Sequence, residues 1–381
     1  MTGKTWGSRD TLNILSTSDI HFAHPRVPTA TVVDSLNRLI PDNEETGKLD
    51  LIVIPGDMTE RGISLHEYDT ILIDRWMIRL LRLCKKWSIV LRVSEGTGSH
   101  DRKQAARIMH LNKISGIGAD VQYWETLTIE HIDVYDIDVL YVPDNYKVDP
   151  EDTWVDVQAA LKAKGLEKVD FALMHGFFEH QVPSMSHGTP HKNDRYLSIV
   201  RKYIFNGHHH TPVVKDRIIV QGSPERLGFG QEEPKGCFLV ECMSRTDAAN
   251  DTVKFVENKL AVIFNTYIVD DDTTEAALGV ILDAAGSLAK GSNVWIKISR
   301  GSKHMPAVEV AAARHKDIRW KIEPGVTKKK ISREVINITP SKTVREITGE
   351  TVMELVKERL VIDAVSEEDA AYALKLLGGL A

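Results

Sequence analysis

Short apolar runs that stop abruptly at glycine, aspartate or histidine recur from the start of the chain to about residue 245. LNIL at 12–15 runs into Ser18 and Asp19, and LIVI at 51–54 into Pro55, Gly56 and Asp57. WSIVLRV at 87–93 precedes EGTGSHD, FALM at 171–174 precedes His175 and Gly176, and YIF at 203–205 precedes Asn206, Gly207 and His208. Runs of this length bounded by turn residues predict buried strands rather than helices. Between the second and third of them, Ile71, Ile73, Trp76, Met77, Leu80 and Leu81 recur at helical spacing and predict one helix with a broad apolar face. After about residue 250 the pattern changes. KLAVIFNTYIV, NVWIKISRG and IRWKIEPGV read as strands, TTEAALGVILDAAGSLAKG and HMPAVEVAAARHK as helices, which together make a small α/β module. A lysine-bearing connection then leads to TVMELVKERLVI, with Val352, Leu355, Val356 and Leu360 on one helical face, and to SEEDAAYALKLLGGL, opened by a capping-type Ser366-x-x-Asp369. Two short terminal helices bury little alone, so they fold back or dock on a partner. The Lys328, Lys329 and Lys330 run reads first as a solvated linker. The expected division is 1–248, 249–327 and 328–381.

With 381 residues, 42% hydrophobic and 27% charged, the chain suits two or three domains of an ordinary globular protein. Cys84, Cys237 and Cys242 are odd in number and without metal-type pairing, which predicts reduced, partly buried thiols and an intracellular setting. No segment approaches the ~20 apolar residues of a membrane span, so neither export nor insertion is expected, and the cytoplasm is the expected location. A net charge of -6 gives no global support for nucleic-acid binding, leaving that role to a local basic surface or a metal.

Ser99, His100 and Asp101 sit side by side, but consecutive residues of an extended chain point to opposite sides, so they do not form a serine-hydrolase triad. The polar residues at the strand ends do suggest a constellation: Asp19 and His21, Asp57, His100, His175, His208 and His210. Ligands gather beyond the carboxyl ends of strands in open α/β sheets, where residues remote in sequence converge. Any one of these pieces alone reads as a turn; five in order, each after an apolar run, read as a metal site. Oxygen and imidazole donors without thiolate suit manganese, iron or zinc. A carboxylate such as Asp57 can bridge two cations, a pairing that supports phosphoester hydrolysis.

The order DIH, GDMTE, GSHD, HG and GHHH resembles the calcineurin-like metallophosphoesterase superfamily. The later QGSPERLGFGQEEPKGCFLVE is similar to the end of the nuclease domain in SbcD-type proteins, including phage recombination nucleases. The resemblance covers roughly residues 12–242. It implies an α/β fold of four layers, an αββα metallophosphoesterase sandwich with a smaller α/β DNA-capping domain and C-terminal helices. It also implies two divalent ions, most often manganese. One would be held by Asp19, His21, Asp57 and His210, the other by Asp57, Ser99, His175 and His208, with His100 as the catalytic histidine and Asp101 orienting it. The family writes Gly-Asn-His-Asp where this chain writes Gly98-Ser99-His100-Asp101, and a serine hydroxyl is shorter and weaker as a ligand than an asparagine carbonyl. Glu60 is a position where the family varies, and His24, His180, His187 and His209 match no family ligand. The implied activity is a DNA exonuclease or endonuclease, with DNA and an SbcC-type ATPase subunit bearing a coiled coil as partners. The helix around Ile71 to Leu81 offers a homodimer surface, and a phage-encoded protein would work in the host cytoplasm. A non-catalytic DNA-end scaffold, or a phosphodiesterase for another ester, is the alternative.

Overall fold

The strand at 51–55 is apolar throughout and that at 12–16 carries Leu12, Ile14 and Leu15 on both of its faces, so both faces of each must be covered. In the computed structural model, which describes residues 6–7, 9–144, 146–147, 149–181 and 190–325, they are. Chain order runs β1 (Leu12–Ser16), α1 (Thr29–Leu39), β2 (Leu51–Pro55), α2 (Tyr68–Trp87), β3 (Val90–Ser94), α3 (Arg107–Ser115), β4 (Val121–Trp124), β5 (Thr128–Ile132) and β6 (Ile137–Val142). It continues with α4 (Pro150–Lys164), β7 (Phe171–His175), α5 (Asn193–Ile199), β8 (Ile204–Gly207), β9 (Val213–Lys215), β10 (Ile218–Val220), β11 (Gly236–Cys242) and β12 (Thr252–Glu257). The first sheet has the order β12-β11-β1-β2-β3-β4 and the second β5-β6-β7-β8-β10-β9. β1 to β4 pair in parallel, as do β6, β7, β8 and β10, while β11, β12, β5 and β9 pair antiparallel.

The two mixed sheets pack face to face, with Leu12, Val53 and Val240 of the first meeting Tyr141, Phe171 and Phe205 of the second in one buried cluster. α1, α2 and α3 cover the outer face of the first sheet, and α4 and α5 that of the second. These are the four layers of a metallophosphoesterase sandwich. In α2 the expected apolar face is formed by Ile73, Trp76, Met77, Leu80 and Leu81, all buried, but Ile71 is 44% exposed. At about 100° per residue, position 71 lies some 200° from 73 and cannot share its face.

The last described elements are β13 (Phe264–Val269), α6 (Glu275–Gly286), β14 (Asn293–Ile298), α7 (Met305–Arg314) and β15 (Arg319–Pro324). Their three strands form a parallel sheet whose Val269, Val294, Ile296 and Ile298 pack against Leu278, Ala285 and Val308 of the two helices. By its contacts the chain divides after Gly325, so this sheet belongs to the same compact unit as the two large ones. The Lys328 to Lys330 run, His187 and the expected terminal helices lie outside the described residues. All three cysteines are free and buried. No helix among the described residues is long and apolar enough to cross a membrane.

Phe205→Ala, which empties an aromatic site between the sheets, is expected to lower the unfolding free energy by about 3–5 kcal/mol. Ile71→Ala is expected to stay within about 0.5 kcal/mol of the native protein. Urea titration followed by circular dichroism measures both.

Candidate metal centre

The parallel strands of both sheets end at one edge, and the loops that leave them carry the candidate ligands. Asp19 and His21 follow β1, Asp57 follows β2, His100 follows β3, His175 ends β7, and His208 and His210 follow β8. The loops after β1 and β2 are zipped together by Asp19 N–H to Gly56 O at 3.2 Å, His21 N–H to Asp57 O at 3.0 Å and Phe22 N–H to Met58 O at 2.9 Å. Asp19, His21, Asp57 and His208 all have left-handed backbone, with φ of 51°, 50°, 51° and 87°. Such conformations are costly for non-glycine residues and cluster at functional sites. Gly56 has φ of 82°, and a Cβ there would lie 2.3 Å from His175 Nδ1, so the strand ends approach this closely only over a bare backbone.

Among the described residues three donor sets result, of which the third, His21, Glu60 and His100, shares His21 with the first. In the first, Asp19, His21 and His210 bring one ligand atom each within 4.8 Å of one another; in the second, Asp57, His175 and His208 do so. The Asp57 carboxylate lies between them, with Oδ2 3.7 Å from His21 Nε2 and 3.3 Å from His175 Nε2. The Nε2 atoms of His21 and His210 are 3.1 Å apart, a spacing that needs a shared proton or a shared cation. Two ligands ~2.1 Å from one cation stand about 3 Å apart, so the donor chemistry and the spacing both fit divalent metal. Supporting contacts aim the rings: His175 Nδ1 donates to Pro55 O at 2.8 Å, and His21 Nδ1 faces Glu60 Oε2 at 2.7 Å.

Electrostatics reflect the crowding. Burial opposes charge on Asp57, yet His175 and His100 outweigh it and hold its carboxyl far below the usual range. Burial likewise opposes the charged form of His175, but Asp57 lifts it to about 10. Burial raises Asp19, and it lowers His208 to about 4 and His210 to about 3. His100, one third exposed, has Nδ1 3.2 Å from Asp57 Oδ2, and that contact raises its pKa. It stands at the open side of the site, where a leaving oxygen can be protonated.

Two expectations require correction. Ser99 is exposed, and its carbonyl accepts from Arg102 Nε at 3.2 Å. The hydroxyl among the second donor set belongs to Thr97, with Oγ1 3.3 Å from Asp57 Oδ2, 3.4 Å from His175 Nε2 and 3.3 Å from His208 Nδ1. Thr97 N–H also donates to Asp57 Oδ1 at 2.6 Å. The chain turns through Gly98 and Ser99, with Thr97 O accepting from His100 N–H at 2.8 Å and Asp101 N–H at 3.0 Å. Asp101 makes no hydrogen bond to the His100 ring among the described residues: its buried carboxylate accepts from Thr59 N–H and Gly96 N–H, both at 2.9 Å. It fixes the loop, while Asp57 faces the ring. Burial pushes Asp101 up to about 7.

Residues 221–235 supply support that spacing alone did not reveal. Gln221 donates to Ser16 Oγ at 2.6 Å, the Gln231 amide lies 3.3 Å from His210 Nδ1, and Lys235 Nζ donates to His210 O at 2.8 Å. Of the histidines without an assigned part, His24 Nδ1 accepts from Arg26 N–H, His180 faces Asn193, and His209 contacts Thr211 O.

The profile of the family described as calcineurin-like phosphoesterase matches residues 12–212, more than half of the chain and every ligand candidate named above. The chain belongs to the calcineurin-like phosphoesterase family. Among solved structures this phosphoesterase is similar to TT1561 of Thermus thermophilus, with 10% identity and a TM-score of 0.36 over 56% of this chain and 90% of that one. A second solved structure gives 11% identity and a TM-score of 0.38 over 65% of this chain and 100% of that one. Among curated proteins no match is found. Metal-dependent phosphoester hydrolysis is the chemistry of this phosphoesterase fold, and the first two donor sets are its candidate cation ligands.

Thr97→Val, which keeps shape and removes the hydroxyl, is expected to weaken divalent-cation binding at the Asp57, His175 and His208 donor set about tenfold, the loss of one hydrogen-bond-scale interaction of roughly 1.4 kcal/mol. Ser99→Ala is expected to leave both sites unchanged. Isothermal titration of the metal-free protein with manganese reads both.

Proposed function

We propose that this phosphoesterase is a manganese-dependent DNA nuclease of SbcD type, cleaving phosphodiester bonds with two cations. The observation that carries the reading is the buried Asp57 carboxylate, which belongs to one donor set and lies 3.7 Å from His21 Nε2 of the other, with partly exposed His100 beside it. Cations held there by Asp19, His21, Asp57, His175, His208 and His210 would supply Lewis acidity and lower the pKa of water. Asp57 and its neighbours hold the reacting groups, and His100 donates the proton to the departing oxygen.

A polymeric substrate is favoured by what borders the site. The α/β module is fastened to the loop that follows His21, through Asn293 Nδ2 to Arg26 O and an Arg319 guanidinium N–H to Pro25 O, both at 3.2 Å. A small ester needs no second module at the rim. The reading extends to an SbcC-type ATPase as partner, bound through 328–381. A second copy would meet the exposed Leu65, Tyr68 and Ile71 at the head of α2, because the rest of that helix's apolar face is spent on the core. The scaffold alternative drew its support from a hydroxyl in place of an asparagine carbonyl, and metal content together with turnover separates it from the enzyme.

End-labelled linear duplex DNA is expected to be degraded in manganese, and Asp57→Asn to reduce the rate at least 100-fold. Absence of cleavage across a manganese titration with the ATPase partner present, while a simple aryl phosphodiester is still hydrolysed, would overturn the nuclease reading in favour of a smaller substrate.

A further inference from the structure

The Thr97 hydroxyl and the His100 ring ride on one irregular stretch of chain between β3 and α3. Such a stretch keeps its conformational freedom unless its ends are joined. Glu95, the first residue past β3, is only 7% exposed. Its N–H donates to Trp124 O at 2.9 Å, which carries the pairing of β3 with β4 one residue beyond Ser94. One oxygen of its carboxylate accepts from Lys103 N–H at 2.8 Å and the other from the Tyr123 hydroxyl at 2.5 Å. A single buried carboxylate thus joins the two ends of the segment 95–103 to each other and to β4. Burial and the adjoining Glu95 raise the pKa of the Tyr123 hydroxyl, so it remains the donor of that pair.

Arg102 and Lys103 have left-handed backbone, with φ of 46° and 61°. Such shapes are unfavourable for residues that carry a side chain, and the turn they make returns Lys103 N–H to Glu95. Within the closed segment, Thr97 O accepts from His100 N–H and Asp101 N–H, while the Asp101 carboxylate spans Gly96 N–H and Thr59 N–H. A Cβ on Gly96 would collide with Asp57, so the segment is pressed onto the carboxylate that the His100 ring faces. Few soft links remain between Glu95 and that ring. Neither Glu95 nor Tyr123 belongs to a donor set.

We propose that Glu95 and Tyr123 are positioning residues for His100, a latch that holds its ring where a proton can pass to the leaving oxygen as the P–O bond breaks. The proposal rests on the reading of His100 as proton donor and names what sets its place. Proton transfer needs hydrogen-bond distance, and a misplacement of about 1 Å can cost up to about 100-fold in rate. The latch touches neither substrate nor cation, and acts through Lys103 and the turns that follow from it.

The test uses the full chain with manganese and two esters of thymidine 5′-monophosphate that differ only in the leaving group. The 4-nitrophenyl ester loses its phenolate readily without a proton; the phenyl ester, with the poorer leaving group, gains most from one. Tyr123→Phe, which removes one oxygen from the latch, is expected to lower the ratio of kcat on the phenyl ester to kcat on the 4-nitrophenyl ester about tenfold. Glu95→Gln, whose amide oxygen can still accept from Lys103 N–H, is expected to lower it about threefold. General damage to the fold or the metal centre slows both esters alike and leaves the ratio fixed. In the metal-free protein, amide hydrogen exchange across residues 96–103 is expected to quicken about tenfold in Tyr123→Phe while β2 exchanges as in the native chain. His100→Ala sets the scale, with a ratio about 100-fold lower. An unchanged ratio or unchanged exchange in Tyr123→Phe, beside a fallen ratio in His100→Ala, would overturn the latch and leave His100 as the acid. An unchanged ratio in His100→Ala would overturn the proton-donor reading and the latch with it.

Discussion

The carboxylate of Asp57 is buried at the seam of two sheets, and an anion removed from water must find compensating charge or hydrogen bonds. It finds both: Thr97 N–H on one oxygen, and ring nitrogens of His100, His175 and His21 within 3.2, 3.3 and 3.7 Å of the other. The Asp57 carboxylate in turn lifts His175 to about 10 although burial opposes its charged form. A divalent ion supplies the same compensation with more charge, and it does so by displacing the proton.

Closeness of that kind is unfavourable for the backbone. Asp19, His21, Asp57 and His208 occupy the left-handed region, at roughly 1–2 kcal/mol each for ordinary residues. Local sequence does not prefer these shapes. They persist because hydrogen bonds between the loops after β1 and β2 over-determine them, and because those loops hang from strands buried on both faces. The rigidity of the sandwich is thereby transferred to its least relaxed edge, so that the ligands are preorganised before any cation arrives.

Much of this was legible in the chain. Apolar runs of four or five residues ending in Asp, Gly or His marked the strands and the edge on which the polar residues meet, and the later alternation of strand and helix marked the third sheet. The failures have physical causes. The family motif implies a ligand at Ser99, whereas a turn through Gly98 and Ser99 leaves the Thr97 hydroxyl among the second donor set. Motif position cannot report which of two neighbouring hydroxyls faces the site. The same motif sets Asp101 to orient His100, and in the structure its side chain turns back to two nearby amides. Gln231 and Lys235, which brace His210, come from a loop whose folding over the site is set by tertiary packing and leaves no periodic trace.

That loop also decides where the third sheet stands. Glu225 is buried and bonds the Ser35 hydroxyl of α1, Asn258 Nδ2 at 3.1 Å and Val262 N–H at 2.7 Å. Val262 lies just before β13, so one carboxylate ties the start of the small sheet to the helix layer of the large one. Further along, the same segment touches His210 through Gln231 and Lys235. A segment that grips a metal ligand at one end and the small sheet at the other fixes their separation without a large interface between them. The separation between the candidate metal centre and the small sheet is thus held by hydrogen bonds to a buried acid rather than by the length of a linker.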